Sequence, residues 1–197
     1  MRQKSWGQNK NSLSDEIIKD FRLKNINSLI KEESTVLDLG CGYNGELLFY
    51  LKDKIKKGIG IDLVVKDVVD NKIKLLKQDI NTKLNIPSNS MDYITLLAVI
   101  EHIDNPTNLL KEIKRILKKG GYLIITTPNI RWKWLLELMA YLRIISKNEI
   151  DDHKIYYSTK SIISSLSSNG FNKKNIKVHK YPLNKLFDFV ILAIAQK

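Results

Sequence analysis

A chain of 197 residues, 43% hydrophobic and 27% charged, has the make-up of a single globular domain that can bury a core without disulfide staples. Its one cysteine, Cys41, excludes an internal disulfide and a cysteine-rich zinc site. The formal charge of +12 admits a polyanion partner, but 28 of the 33 basic residues are lysine. Nucleic-acid readers favour arginine for bidentate contacts, so the charge reads as compositional, in keeping with the abundant isoleucine and asparagine of an A+T-rich coding sequence. The opening stretch MRQKSWGQNKNS lacks the apolar core of a signal peptide, and no run is apolar and uncharged for long enough to span a bilayer; a cytoplasmic location is expected.

Residues 1–33 read as an N-terminal helical segment. Ser14 caps a helix whose apolar face is Ile17, Ile18, Phe21, Ile26, Leu29 and Ile30. At Thr35 the period changes to a short β-like run, Val36 to Leu39, ending in Gly40-Cys41-Gly42. A helix carrying Leu47, Leu48, Tyr50 and Leu51 follows, then a strand from Gly58 to Ile61, a short helix from Val64 to Val69 and a strand from Ile73 to Leu76. After the turn Pro87-Ser88-Asn89-Ser90 come a strand from Asp92 to Leu97 and a helix from Asn108 to Leu117 that stops at Gly120-Gly121. Another strand runs from Tyr122 to Thr127, and Arg131 to Ser146 forms an apolar helix within an insertion over 129–157. Ser158 or Thr159 caps a further helix ending at Asn169-Gly170, and strands from Ile176 to Tyr181 and Phe187 to Ala195 close the chain. Strands alternating with helices through short connections mark an α/β domain, residues 34–197, with a largely parallel sheet.

The chemistry centres on Val36-Leu37-Asp38-Leu39-Gly40-Cys41-Gly42-Tyr43-Asn44-Gly45. Glycines between a strand and a helix let the backbone turn tightly and approach a ligand, and nucleotide cofactors of several kinds use such a turn. Asp62 ends the next strand, where a carboxylate can accept from both ribose hydroxyls, and Asp79 follows the third strand, where one can hold an adenine amino group. Asp38, just before the first glycine, would repel a pyrophosphate but suits a ligand carrying a sulfonium and an ammonium. Charge therefore favours S-adenosylmethionine over NAD.

Several ordered segments carry a family resemblance: Val36 to Gly42, Gly60-Ile61-Asp62, Gln78-Asp79-Ile80, Met91 to Ile94, Ala98-Val99-Ile100-Glu101-His102-Ile103, and Leu109 to Pro128. The chain resembles class I S-adenosylmethionine-dependent methyltransferases, in particular the small-molecule and ubiquinone-biosynthesis-like group. The match is close over about 34–129 and looser through His153 to Ser158 and beyond. The resemblance implies a Rossmann-like, doubly wound, seven-stranded sheet with the last strand antiparallel. It also implies S-adenosylmethionine as cofactor and S-adenosylhomocysteine as product.

On that resemblance Gly40, Cys41 and Gly42 pass the methionine part of the cofactor, and Asp38 faces its amino end. Asp62 takes the ribose, Leu63 and Ile80 flank the adenine, Asp79 holds its amino group, and Ala98 lies near the methionine moiety. His102 and His153 are two separate candidates for the base that deprotonates an attacking hydroxyl, whereas His179 reads as structural and Asp92 as a brace for the turn before its strand. No His/Asp cluster with clear metal-ligand spacing stands out.

The segment after the fourth strand, Val99-Ile100-Glu101-His102, lacks the Asn/Asp-Pro-Pro-aromatic loop of adenine-amino methylation, and no cysteine is placed for attack on cytosine. O-methylation of a small molecule, apolar, lipid-linked or a sugar, is the expected reaction. RNA methylation through the basic surface, a non-catalytic cofactor-binding module and an NAD-dependent oxidoreductase remain as alternatives. The tryptophans and basic residues of 131–146 fit a lid, a core or dimer helix, or a peripheral membrane contact.

Overall fold

The computed structural model describes residues 22–68, 70–141, 153–181 and 188–197. The expected Ser14 cap, Ile17, Ile18, Phe21, Val69, Leu142 to Ser146, Asp151, Asp152 and Phe187 lie outside them.

Apolar runs of period two make seven strands: β1 (Thr35–Leu39), β2 (Lys57–Asp62), β3 (Ile73–Lys77), β4 (Met91–Leu97), β5 (Leu117–Pro128), β6 (Ile176–Tyr181) and β7 (Val190–Gln196). They form one sheet in the order β3-β2-β1-β4-β5-β7-β6. β1 to β5 pair in parallel, and β7 runs antiparallel between β5 and β6, as the resemblance implied. The strands alternate cleanly between two cores. Leu37, Leu39, Ile94, Leu96, Leu123 and Ile125 face the core built with α3 (Pro106–Ile116) and α5 (Thr159–Ser168). Val36, Tyr93, Ile124 and Leu192 face the other, with Leu23, Ile26 and Ile30 of α1 (22–29) and Leu47, Leu48 and Leu51 in and after α2 (Glu46–Tyr50). Tyr50, expected on that apolar face, is exposed.

Three local expectations are corrected. Residues 64–68 are not helical: they form a bend and irregular backbone, tied to the glycine turn where Lys66 N–H donates to Tyr43 O at 2.8 Å. α3 begins earlier than expected, with Pro106 at its first position and Asn105 as cap, accepting from Asn108 N–H at 3.2 Å. It also ends without glycine. Leu117 turns extended (φ −59°, ψ 136°) and enters β5 directly, opposite Met91. Gly120-Gly121 instead lies in an irregularity of β5, between the Met91–Leu117 and Tyr93–Tyr122 pairs.

After β5 a 3₁₀ turn (Ile130–Trp132) leads into α4 (Lys133–Tyr141). Ser158 does cap α5: it accepts from Ser161 N–H at 3.1 Å, while the Ser161 hydroxyl accepts from Ser158 N–H at 2.8 Å. Asp92 braces the start of β4, accepting from Thr35 N–H at 2.9 Å and pairing with Lys118 at 2.8 Å. Among the described residues no helix is long and apolar enough to cross a membrane.

Candidate active site

The sheet order reverses between β1 and β4, so a crevice opens at their carboxyl ends, the usual ligand position in a doubly wound sheet. The glycine turn after β1 forms one wall. Gly40 and Gly42 have φ of +76° and +71°, a left-handed backbone that favours glycine. A Cβ on Gly40 would lie 2.4 Å from a Val99 methyl, so the turn and the loop after β4 approach as closely as only glycine permits.

Asp62 holds this turn. Its two carboxylate oxygens accept from Gly42 N–H at 2.9 Å and from Leu63 N–H at 2.7 Å. Cys41 turns its thiol inward, where a Cβ on Gly60 would stand 2.8 Å from the sulfur. Burial, with the carboxylates of Asp38 and Asp62, pushes that thiol well above its usual range, so it stays protonated.

Asp38 is buried, and Thr95 Oγ1 donates to its Oδ1 at 2.6 Å. Burial pushes its carboxyl up to about 7. The Thr95 hydrogen bond opposes the shift, Asp62 adds to it and Arg22 opposes it. At the end of β3, Asp79 Oδ1 accepts from both the backbone and the side-chain amide of Asn81 at 2.9 Å, forming an Asx turn. Leu63 and Ile80 are half-buried, Ile80 against the α3-side core. Ala98 has φ +57°, rare for a residue with a side chain, and its N–H donates to Thr126 O at 2.9 Å.

The structure brings together what the sequence kept apart. His102 closes a 3₁₀ turn after β4, its N–H donating to Val99 O at 3.0 Å, so one residue touches both the glycine turn and this histidine. The His102 and His153 rings meet edge-on with centroids 4.8 Å apart. Donor atoms of buried Glu101, His102 and His153 lie within 4.8 Å of one another. Lys154 and Ile155 N–H groups donate to Glu101 O at 2.8 and 3.2 Å, which seats the His153 segment on the loop after β4. Tyr156 stands edge-on to His153 at 5.2 Å, with Lys133 of α4 4.9 Å from its ring centre. Burial and the charge of Glu101 push the neighbouring Tyr157 up to about 12, so it remains a phenol. His179 lies apart, exposed on edge strand β6.

Sequence reasoning missed Thr95, Tyr156 and Asp188. Asp188 is buried and accepts from Trp132 Nε1 at 2.8 Å and Lys180 Nζ at 2.6 Å, while its backbone oxygen accepts from Asn129 Nδ2 at 3.0 Å. These bonds hold its carboxyl below the usual range and fix the root of the insertion. Only Thr95, a polar residue within an apolar strand, left a trace in the sequence.

Residues 8–176 match the family described as "Methyltransferase domain". A ubiquinone biosynthesis O-methyltransferase of Coxiella burnetii is 26% identical over 186 residues, covering 87% of this chain and 79% of its own. One of Serratia proteamaculans is 22% identical over 168 residues, covering 79% and 69%. The crystal structure of an S-adenosylmethionine-dependent methyltransferase from Archaeoglobus fulgidus superposes with a TM-score of 0.71 at 20% identity, over 92% of this chain and 94% of that one. With this sheet order and this crevice, the chain belongs to the methyltransferase-domain family, as a class I S-adenosylmethionine-dependent enzyme.

Proposed function

We propose that the enzyme methylates an oxygen of a small molecule and that His102 or His153 removes the proton. The observation that carries this reading is the meeting of the two histidines beside Val99, the residue that touches the glycine turn. The names of the Coxiella and Serratia relatives support oxygen as the acceptor atom.

The residues fit the cofactor. A carboxyl that burial has pushed up to about 7 gains from a nearby ammonium and would resist a pyrophosphate. In this reading Asp38 faces the amino end, and Gly40 and Gly42 offer backbone beside the methionine part. Cys41 serves through its backbone, since its thiol packs against Gly60. Asp62 turns its remaining lone pairs to the ribose, Asp79 presents Oδ2 to the adenine amino group, Leu63 and Ile80 cover the ring, and Ala98 borders the methyl donor.

Bound S-adenosylmethionine supplies a sulfonium methyl that needs no further activation. The protein's part is alignment and exclusion of water. One imidazole nitrogen takes the acceptor's hydroxyl proton as the oxygen bonds to the methyl carbon. The bound donor would supply the other half of the same displacement, its carbon–sulfur bond giving way, with the electron pair going to sulfur, as the carbon–oxygen bond forms. The same Glu101-His102-His153 grouping favours a second reading, a divalent cation that lowers the acceptor's pKa. Activity lost on chelation and restored by added cation would select it. The cytoplasmic location expected from the sequence belongs to this proposal.

Calorimetric titration with S-adenosylhomocysteine tests the cofactor assignments. Wild type is expected to bind in the micromolar range, Asp62→Ala at least about tenfold more weakly, and NADH not at all. Failure of folded wild type to bind S-adenosylhomocysteine overturns them. In a methyl-transfer assay on a panel of hydroxylated aromatics, sugars and lipids, replacing the operating histidine by Asn is expected to lower kcat by about 10²–10⁴ with cofactor affinity kept. Unchanged kcat in both His102→Asn and His153→Asn would remove the base.

A further inference from the structure

The insertion helix presents an apolar face to solvent. Trp134, Leu138 and Tyr141 are spaced four and three residues apart, which puts them on one side of α4, and they are 60%, 44% and 81% exposed. Ile130, one turn earlier, is 44% exposed. Such a run on a helix that follows β5 lies outside both cores.

Its composition and surroundings fit a lipid–water boundary. Trp and Tyr carry an apolar body with a polar tip and collect at the depth of lipid headgroups. Two cations stand where α4 begins, Arg131 and Lys133, with side chains 69% and 48% exposed; each meets a carboxylate only beyond hydrogen-bond distance, Asp188 at 3.6 Å and Glu137 at 3.7 Å, and Lys133 also lies 4.9 Å from the Tyr156 ring centre. Long basic side chains there can lie along apolar surface while their heads meet phosphate. The chain's formal charge of +12 adds attraction to an anionic surface and none to a second copy of itself. The root of the helix is also held firmly. Trp132 packs against Phe189 with the rings tilted and their centres 4.5 Å apart, and it donates to buried Asp188, so the face is presented from a fixed base.

We propose that the Trp134–Leu138–Tyr141 face of α4 docks on an anionic phospholipid surface, with Arg131 and Lys133 at the headgroups. α4 leaves the carboxyl end of β5, on the side of the sheet where the crevice opens, so docking turns the acceptor side of the enzyme toward the bilayer. Docking in this way is independent of which acceptor is methylated.

The test is co-sedimentation of the full chain with sucrose-loaded vesicles, either phosphatidylcholine alone or with about one third phosphatidylglycerol. Wild type is expected to partition onto the anionic vesicles at least about tenfold more strongly than onto neutral ones, and added salt to weaken the binding. Trp134→Ala with Leu138→Ala is expected to abolish most of it while the melting temperature holds, because both side chains are exposed. Trp134→Phe keeps an apolar ring. It should bind as wild type does but lose the part of the tryptophan emission that brominated lipid quenches. No partition onto anionic vesicles overturns the proposal, as does equal partition by wild type and the double variant. Light scattering that shows a wild-type dimer and a monomeric double variant overturns it too, by assigning the face to a second copy.

Discussion

Asp38 couples the cofactor crevice to pH. Its carboxyl is raised from 3.8 to about 7, chiefly by burial. Between those values the folded chain holds a proton that the unfolded chain has released, so the contribution of this group to stability is fully present below about pH 4, is lost as pH rises toward about 7, and is flat above. The whole effect is of the order of a few kcal/mol. A denaturant series from about pH 5 to about pH 8 should show a declining midpoint in wild type and a much flatter one in Asp38→Asn. An ammonium beside Asp38 favours the ionised form, so S-adenosylhomocysteine affinity should rise over the same window and level off near pH 7. A flat affinity profile would mean that the amino group sits elsewhere. Thr95 belongs to the same unit, since its hydroxyl donates to Asp38 at 2.6 Å. Thr95→Val removes that donor and should move the midpoint of both profiles upward.

At the scale of elements, the passage from α3 into β5 shows two neighbouring glycines needed for different reasons. Gly120 has φ +80°, and a Cβ there meets only Gln196 Nε2 at 3.9 Å, so Gly120→Ala is a backbone penalty of about 1 kcal/mol. Gly121 has an ordinary φ, but a Cβ would stand 3.0 Å from both Asp92 O and Lys118 O, backbone atoms that cannot swing aside. Gly121→Ala is expected to cost more, about 2–3 kcal/mol, and to lower the melting temperature by roughly 5–10 °C against roughly 2–4 °C for Gly120→Ala. Equal shifts in thermal denaturation would show that the β5 irregularity relaxes around an added methyl. The glycine pair was legible in the sequence, but its purpose was not. Glycine after a helix reads locally as a stop, whereas the close approach of Asp92 O is made by strand pairing. The strands and the turn after β1 were legible for the opposite reason, because period-two burial and a Gly-x-Gly turn are local properties. The expected helix over Val64 to Val69 failed because Lys66 N–H bonds across to Tyr43 O. The His102–His153 contact and the Thr95–Asp38 bond join residues about fifty or more positions apart, and no local pattern encodes them.

For the whole molecule, the excess positive charge separates an RNA acceptor from a small one. An RNA enzyme of this size would gather its cations into a stripe that tracks phosphates. Here the ion pairs spread lysines over both ends and both edges of the sheet. Lys52 pairs with Asp70 near β3, Lys118 with Asp92 at the start of β4, Lys154 with Asp104 after it, and Lys180 with Asp188 beside β7. The net +12 is what remains beyond such pairs, and because it is carried mainly by lysine it gives point attraction without the bidentate fork of arginine. The expected outcome is non-specific binding to RNA that is measurable at low salt and falls steeply by physiological ionic strength, with no preference among sequences or folds. The binding should also leave S-adenosylhomocysteine affinity unchanged, because point attraction of lysine to phosphate without a docked RNA makes no differential contact with the crevice. Fluorescence anisotropy of labelled transfer and single-stranded RNA across a salt series, with and without S-adenosylhomocysteine, measures both. Binding that survives about 0.2 M salt, selects one RNA and tightens with cofactor would make RNA the acceptor and displace the small-molecule reading.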